Sequence, residues 1–361
     1  MDSLRNTRLI LFFLLALVST SSQLRGQVGK GGGESSRIDG KAKFMPIPYL
    51  NYDRSMGFTL GAVPMLMLNP SEKDTISPSS LIGGVGTYST NKTWFMMGFG
   101  VFFLNQDRWR ITTAGGLGVV NFQFFLDNPI WSGWVPYSSE ANFFMFRVER
   151  KIYESLYGGI SYSYADVVSS SESLPIADSV TLHGVGLNLS FDRRDNPHYP
   201  RHGFFATLKY NSMPEIFGNT TTTQKIEADY NHYFSSRQNK DVVAARFHAG
   251  LGLGDLAFSQ QFIVKGRDIR GYTQGAVRGN YLLAIQGEYR WNFASRWGAV
   301  AFAGVASVFE TINESDNGKL LPGAGTGIRF IAFPKNHFSV GLDVALGIDD
   351  WGIYFQIGEA F

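Results

Sequence analysis

Apolar side chains alternate with polar or small ones over most of the chain, from residue 43 to residue 361. Segments of about ten residues with this period of two are typical of half-buried β-strands. The clearest segment spans 280–291, where Ile285 and Tyr289 fall on one face and Glu288 falls on the other. Gly, Pro, Asn, Asp and Ser separate the segments, as expected of turns.

The alternation predicts about sixteen strands, an even number as in bacterial outer-membrane barrels. They span residues 43–52, 56–68, 79–90, 92–104, 109–120, 141–152, 155–166, 181–192, 203–213, 223–235, 241–253, 280–292, 296–309, 322–333, 338–348 and 351–361. The predicted fold class is all-β, a transmembrane antiparallel barrel with one face towards lipid and a polar face towards the lumen. The alternative is a large soluble β-sandwich or propeller, whose alternation looks the same residue by residue.

The connections between these strands fall into two groups by length. The long ones, all at odd-numbered junctions, are 121–140, 167–180, 214–222, 254–279 and 310–321. Those at the other end are mostly short turns. Long loops at one rim and short turns at the other are typical of outer-membrane barrels.

The first residues resemble an export signal. In residues 1–26, Arg5 and Arg8 precede the apolar run 9–18 and small residues follow it, as in a secretory signal peptide. The alternative is a membrane anchor, but this run reaches only about 15 Å as a helix, half the bilayer core. Residues 27–42 are Gly- and Ser-rich and predict a flexible periplasmic tether, so the barrel is expected to occupy 43–361.

Composition excludes several classes of protein. Aromatic residues at 15% argue against disorder. The net charge of +2, without a basic cluster, lacks the electrostatic footprint of nucleic-acid binding. The absence of Cys rules out disulfides, thiolate metal sites, a Cys nucleophile and a lipid-modified N-terminal Cys.

No residues with a catalytic, cofactor-binding or metal-binding pattern are found. His198 and His202 are four residues apart, but Pro197 and Pro200 forbid the helix that would align them. The chain has neither a Gly-x-Ser-x-Gly nor a His-Glu-x-x-His motif. We therefore expect a protein that is not an enzyme and needs no cofactor.

Two motifs and the closing strand go beyond a general barrel pattern. The first motif, inside the longest connection, comprises Ile269, Arg270, Gly271 and Tyr272. The second, before the ninth strand, comprises Asp192, Arg193, Arg194, Asp195, Asn196 and, further on, Gly203. The closing strand carries Phe355, Ile357 and Phe361. With Pro46, Pro48 and Glu288, these stretches resemble the BamA/TamA superfamily of outer-membrane assembly and secretion barrels, also called bacterial surface antigens, over residues 43–361.

The resemblance implies a role for each residue of the first motif. In that family the loop bearing Val/Ile-Arg-Gly-Phe/Tyr folds into the lumen, where its Arg pairs with acidic residues of the inner wall. Arg270 is thus expected to pair with Glu288, because a guanidinium can bind a carboxylate through two hydrogen bonds. The family's second acidic position is Gly304 here, and Asp343 is the substitute that the alternation offers.

Two other features depart from the family pattern. Glu359 stands where an apolar residue is common in the closing strand, which weakens the expected signal for barrel insertion. The roughly seventeen residues between signal and barrel cannot form a periplasmic substrate-binding repeat, since an independent domain needs roughly 50 residues. A barrel-only member of the family is therefore expected.

The function implied is assistance in the insertion, assembly or export of other outer-membrane or surface proteins. A weakly paired junction between strands 43–52 and 351–361 could admit a client strand, and Pro46 and Pro48 remove donors from the first of them. The alternatives are a passive outer-membrane channel and a structural subunit of a larger assembly machine. The expected location is the outer membrane of a Gram-negative bacterium, with lipid, client proteins or such a machine as partners and no nucleic acid.

Overall fold

The structure is a computed structural model that describes residues 38, 40–53, 56–127, 132–171, 176–196, 199–257, 260–273, 277–311, 313–333 and 338–361. The predicted signal peptide and most of the predicted tether lie outside these residues. Among the residues described, no helix is long and apolar enough to cross a bilayer.

Sixteen antiparallel strands close into a barrel, which confirms the predicted fold class and strand number. They are β1 (Ala42–Asp53), β2 (Gly57–Leu68), β3 (Ser80–Ser89), β4 (Trp94–Leu104), β5 (Trp109–Asp127), β6 (Ser132–Tyr153), β7 (Leu156–Ser171), β8 (Ile176–Asp192), β9 (Gly203–Met213), β10 (Thr223–Ser236), β11 (Asp241–Leu253), β14 (Tyr281–Asn292), β15 (Trp297–Phe309), β16 (Leu321–Phe333), β17 (Phe338–Leu346) and β18 (Trp351–Ile357). Between β11 and β14 the chain forms a small separate sheet from β12 (Phe262–Ile263) and β13 (Arg278–Gly279). Short 3-10 turns occur at Glu215–Phe217 and Glu314–Asp316.

The outer surface of the barrel is apolar. Leu187 of β8 and Ile285 of β14 expose 61% and 56% of their surface, although their strand neighbours Asn188 and Gln286 are buried. Water would disfavour so extensive an apolar surface, whereas a lipid-facing barrel requires it. The closed sheet with its apolar side chains outward excludes the soluble alternative.

Four strands are longer than the sequence pattern predicts. β5 and β6 pair without interruption as far as Asp127 and Ser132, and β7 and β8 pair as far as Ser171 and Ile176. The prediction of long loops at 121–140 and 167–180 was therefore wrong. Bilayer thickness sets the length a strand needs to cross, about ten residues, but strand pairing can continue beyond it.

The inner wall differs between the two halves of the barrel. From β1 to β9 many of its inward-facing side chains form one buried apolar cluster, which includes Met45, Met65, Met67, Met97, Met145 and Met213. The expectation of a polar lumen face was wrong for these positions, although Arg147 and Glu149 of β6 also face inward in this half. An open water-filled lumen would leave these side chains accessible, so their burial shows that other side chains of the barrel cover them.

The barrel closes through a narrow seam between β1 and β18. Among the residues described, Tyr52 and Ile353 are its one registered pair, whereas β1 and β2 pair along their whole length. Lys41 O accepts from Asn69 N at 3.0 Å, so backbone groups of odd-numbered residues point to β2 and those of even-numbered residues point to the seam. Pro46 and Pro48 are even-numbered, and each leaves the seam without a donor.

The closing strand is shorter than predicted. β18 ends at Ile357, and Gly358 follows with φ +77°. Phe361, expected within the strand, lies outside it and is only 2% exposed. A glycine adopts this left-handed conformation without steric cost, and it turns the last residues away from the wall.

Substitution of two neighbouring methionines on opposite faces of β4 tests whether the inner wall is packed against other side chains. Met97 is 6% exposed and Met96 is 60% exposed. We expect Met97→Ala to lower the free energy of unfolding by about 2 to 5 kcal/mol, because it leaves a cavity. Met96→Ala is the matched control, with a smaller loss. Urea titration in lipid vesicles, followed by gel mobility with and without heating, measures both, and equal losses would contradict a packed lumen.

Candidate functional site

The connection between β11 and β14 enters the lumen and packs against the wall. Its residues Phe262, Val264 and Ile269 form a buried apolar cluster with side chains of β14, β15 and β16. Phe262 also fills the space beside Gly250 of β11, where a Cβ would come within 2.6 Å of its ring. Burial of these side chains holds the loop inside the barrel.

The first motif forms the tip of this lumen loop. Gly271 has φ +109°, and a Cβ there would lie 2.5 Å from the carbonyl carbon of Leu346. The Tyr272 hydroxyl donates to Pro322 O at 2.7 Å and accepts from Ile348 N at 3.2 Å. Burial raises the pKa of this phenol, so the hydroxyl keeps the proton that it donates.

Arg270 belongs to a closed ring of six charged side chains, here called the ionic ring. Its members alternate in sign and follow in the order Arg270, Glu288, Arg290, Glu359, Arg329 and Asp343, with Asp343 closing on Arg270. Three guanidinium groups face three carboxylates, so the ring as a whole is neutral. It joins the lumen loop, the strands β14, β16 and β17, and the residues after β18.

The contacts at Arg270 are short. Its Nη2 lies 2.7 Å from Glu288 Oε2 and its Nη1 lies 2.6 Å from Asp343 Oδ2. Nε and Nη2 also donate to Gln286 Oε1 at 3.2 and 2.9 Å, and the guanidinium lies 3.3 Å from the centre of the Phe302 ring. Each nitrogen has a partner, which the burial of this cation requires.

The other half of the ring reaches the end of the chain. Arg290 Nε lies 2.9 Å from Glu288 Oε1 and 3.6 Å from Glu359 Oε2. Glu359 Oε2 also lies 3.3 Å from Arg329 Nε, and Arg329 binds Asp343. Glu359 thus bridges two wall arginines instead of facing lipid in the closing strand.

A second set of contacts holds the other side of the lumen loop. Arg246 of β11 donates from Nη1 to Asp268 Oδ1 at 3.1 Å and to Arg267 O at 2.8 Å. Its Nη2 binds Asp229 of β10. The lumen loop is therefore fixed to the wall at two places, at its tip through Arg270 and just before its tip through Arg267 and Asp268.

The structure brings Arg270, Glu288 and Asp343 together, and it adds three further members of the ring that the sequence did not link to Arg270. Arg290 and Arg329 carry a detectable signal, because the alternation turns both to the lumen. For Glu359 the sequence contains no such signal, since the position of its side chain depends on the turn at Gly358. Within the described residues, no group of three or more His, Cys, Asp or Glu side chains is placed to hold a metal ion.

The second motif forms a separate network at the β8–β9 turn. Asp192 pairs with Arg194 Nε at 2.9 Å and with Arg110 Nη1 at 3.4 Å. Asp195 Oδ1 accepts from the backbone N of Asn196 and of Arg201, at 2.9 Å each. These contacts fix the turn and do not reach the ionic ring.

The remaining residues of the second motif differ in exposure. Arg193 is exposed and lies 3.4 Å from the Glu154 carboxylate. Gly203 has φ +89°. Asn196 is buried and its side chain accepts from Tyr199 N at 3.2 Å.

The model of the Omp85 superfamily domain matches residues 92–361, which is most of the chain. The chain belongs to the Omp85 superfamily. The BamA/TamA family, which the lumen-loop motif indicated, is part of this superfamily. All six residues of the ionic ring lie within the matched residues. No curated protein sequence matches the chain.

Solved structures of this superfamily share the fold. BamA from Haemophilus ducreyi lacking POTRA domains 1-3 aligns with a TM-score of 0.60 and 10% identity, over 95% of this chain and 78% of that one. CdiB from Escherichia coli aligns with a TM-score of 0.64 and 12% identity, over 88% and 62%. CdiB from Acinetobacter baumannii gives 0.58 and 12%, over 88% and 59%. At such identities the likeness shows the barrel fold.

Removal of Arg270 tests the stabilising role of the ring. Arg270→Ala leaves buried carboxylates without their cation, and we expect a loss of about 3 to 5 kcal/mol in unfolding free energy. Arg193→Ala is the control, because its exposed pair with Glu154 is worth no more than about 1 kcal/mol. The measurement is the same urea titration in vesicles. Similar losses in both variants would show that the ring is not a special stabilising element.

Substitution of Gly203 tests whether the turn formed by the second motif requires a glycine at this position. A Cβ there would lie 2.0 Å from Arg193 O, on a backbone with φ +89°, so Gly203→Ala is expected to cost about 1 to 3 kcal/mol. At Gly287 a Cβ meets no atom within 4 Å, and Gly287→Ala should be nearly neutral. Folding yield and urea midpoint of the two variants decide whether the turn requires its glycine.

Proposed function

We propose that this chain assists the insertion or export of other outer-membrane proteins through the seam between β1 and β18. The observation that carries the proposal is that the described part of the seam has a single registered pair, Tyr52 with Ile353, in a barrel whose other junctions are paired over many residues. Omp85 membership and the likeness in fold to BamA and CdiB support it.

The edge of β1 at the seam suits temporary pairing. Its even-numbered residues offer carbonyl acceptors, but Pro46 and Pro48 offer no N–H. An incoming strand can add to such an edge by β-augmentation, and the missing donors keep its hold weak enough for release. The same feature explains why β18 does not remain paired there.

The outer membrane of a Gram-negative bacterium is the place where such a barrel works. The superfamily and the apolar outer surface support this location. The partners are then outer-membrane lipid and client barrel or surface proteins, which arrive as unpaired strands.

A passive channel is the weaker candidate. The apolar inner wall from β1 to β9 is covered, and the lumen loop with the ionic ring occupies the other half. The described residues therefore leave little of the lumen to water. These features favour lateral passage through the seam over axial passage through the barrel.

A disulfide across the seam tests the proposal. The chain has no Cys, so Tyr52→Cys with Ile353→Cys forms the sole cross-link, at the registered pair. We expect oxidation to abolish insertion of client proteins into vesicles or cells, and reduction to restore it. The control is Leu50→Cys with Leu60→Cys, a pair within the β1–β2 wall, which should stay active when oxidised. Full activity with the seam locked would sink the proposal.

A further inference from the structure

One guanidinium group of the inner wall has no counter-charge within the described residues. Arg147 of β6 is 7% exposed, and its Nε and Nη1 are buried without a hydrogen-bond partner in that part of the chain. Arg110 and Arg194, by contrast, both pair with Asp192. A cation that is buried without a partner is strongly unfavourable. The position of Arg147 therefore suits an anion that the described part of the chain does not supply.

The neighbours of Arg147 place it on a border within the wall. Across the strands it lies opposite Thr112 of β5 and Ser161 of β7, which are both neutral. Along β6, the next inward-facing residue towards the β6–β7 turn is Glu149, and the next one in the other direction is Met145 of the apolar cluster. Arg147 thus has a charged neighbour on one side and an apolar neighbour on the other.

The apolar side of Arg147 can adapt its shape. Six methionines belong to the inner apolar cluster, and the unbranched Met side chain repacks readily around an apolar partner. The Phe99 and Phe143 rings lie over Gly83 and Gly116 of the neighbouring strands, where a Cβ would come within 2.3 and 2.8 Å of them. These rings therefore follow the wall instead of crossing the lumen. Movement of methionine side chains can thus make room for an apolar chain.

We propose that the lumen half from β1 to β9 binds a long-chain carboxylate, with its acid group on Arg147 and its acyl chain among the methionines of the apolar cluster. A carboxylate supplies the one negative charge that a single guanidinium group requires. The acyl chain has no polar group that would need a partner in this part of the lumen. The site lies inside the barrel wall, so it does not depend on the use of the seam by client strands.

Glu149 favours a carboxylate over a phosphate monoester as the bound group. It is a buried carboxylate on the same face of β6 as Arg147, two residues away along the strand. A doubly charged phosphate would be repelled by Glu149 more strongly than a singly charged carboxylate. The acid group therefore lies on the Met145 side of Arg147, and the acyl chain runs away from the β6–β7 turn.

Photo-cross-linking tests the site directly. A palmitate analogue with a diazirine in its chain is irradiated with the protein in phosphatidylcholine vesicles, and the labelled residues are mapped by mass spectrometry. We expect labels on the inward-facing Met97 and Met145 as well as on the exposed Met96, which the probe reaches from the bilayer. The label at Met96 is the internal standard, because it requires no binding site.

Two arginines on opposite faces of β6 give the matched variants. Arg147→Gln should lower the inward labelling about tenfold relative to the label at Met96, because the acid group loses its cation. Arg150→Gln is the control. Arg150 is exposed, and its guanidinium lies 5.4 Å from the centre of the Trp109 ring on the outer surface, so inward labelling should be unchanged in this variant.

Competition in the parent protein requires no substitution. Unlabelled palmitate should displace the inward labels, whereas hexadecanol, with the same chain length but no charge, should compete about tenfold less effectively. Shortening of the carboxylate should weaken its competition about fourfold per methylene. Hexadecyl phosphate should compete less effectively than palmitate, because Glu149 repels its additional charge.

The outcomes are distinct. Absence of inward labels in the parent, or equal inward labelling in Arg147→Gln, would overturn the site. Hexadecanol competing as well as palmitate would overturn the role of the charge, and stronger competition by hexadecyl phosphate would overturn the assignment to a carboxylate. The seam cross-link reports on client insertion alone, so neither result depends on the other.

Discussion

Charges buried inside a barrel are stable only when each is matched, and here the matching is done by the ionic ring. It begins at Arg270 in the lumen loop, passes through strands β14, β16 and β17, and includes Glu359 after β18. The backbone ladder fixes the three strands relative to one another but does not hold the lumen loop or the residues after β18. Because each arginine serves two carboxylates, displacement of one member disturbs both neighbours, so the lumen loop, the wall and the residues after β18 act as one unit.

The apolar half of the lumen complements this ionic half. From β1 to β9 many inward-facing side chains pack into one apolar cluster, and several buried charges of this half pair locally, as Asp192 does with Arg110 and Arg194. The two halves meet at the seam, where Pro46 and Pro48 weaken the edge of β1. Among the residues described, the strands of the barrel are therefore paired over many residues everywhere except along that seam. This weak line of pairing is the feature on which the proposed lateral passage of client strands depends.

Parts of this design could be predicted from single residues. Alternation fixed the lumen orientation of Glu288 and Asp343, and family resemblance singled out Arg270, which the structure places between them. The role of these residues in handling clients stays a prediction. The lengths of β5 to β8 were predicted wrongly, because the sequence pattern does not show whether strand pairing continues beyond the bilayer. The position of Phe361 was predicted wrongly, because the pattern does not show that the chain turns at Gly358.

The sequence by itself determined the all-β barrel, its sixteen strands and the side on which each wall residue lies, because a period of two is a local property of the extended chain. Only the tertiary structure decided which inward residues meet. Arg270 meets Asp343 across 73 positions, and Arg290 meets Phe361 across 71. Such contacts depend on register, closure and the turn at Gly358, which together fix distances across the lumen that no local pattern contains.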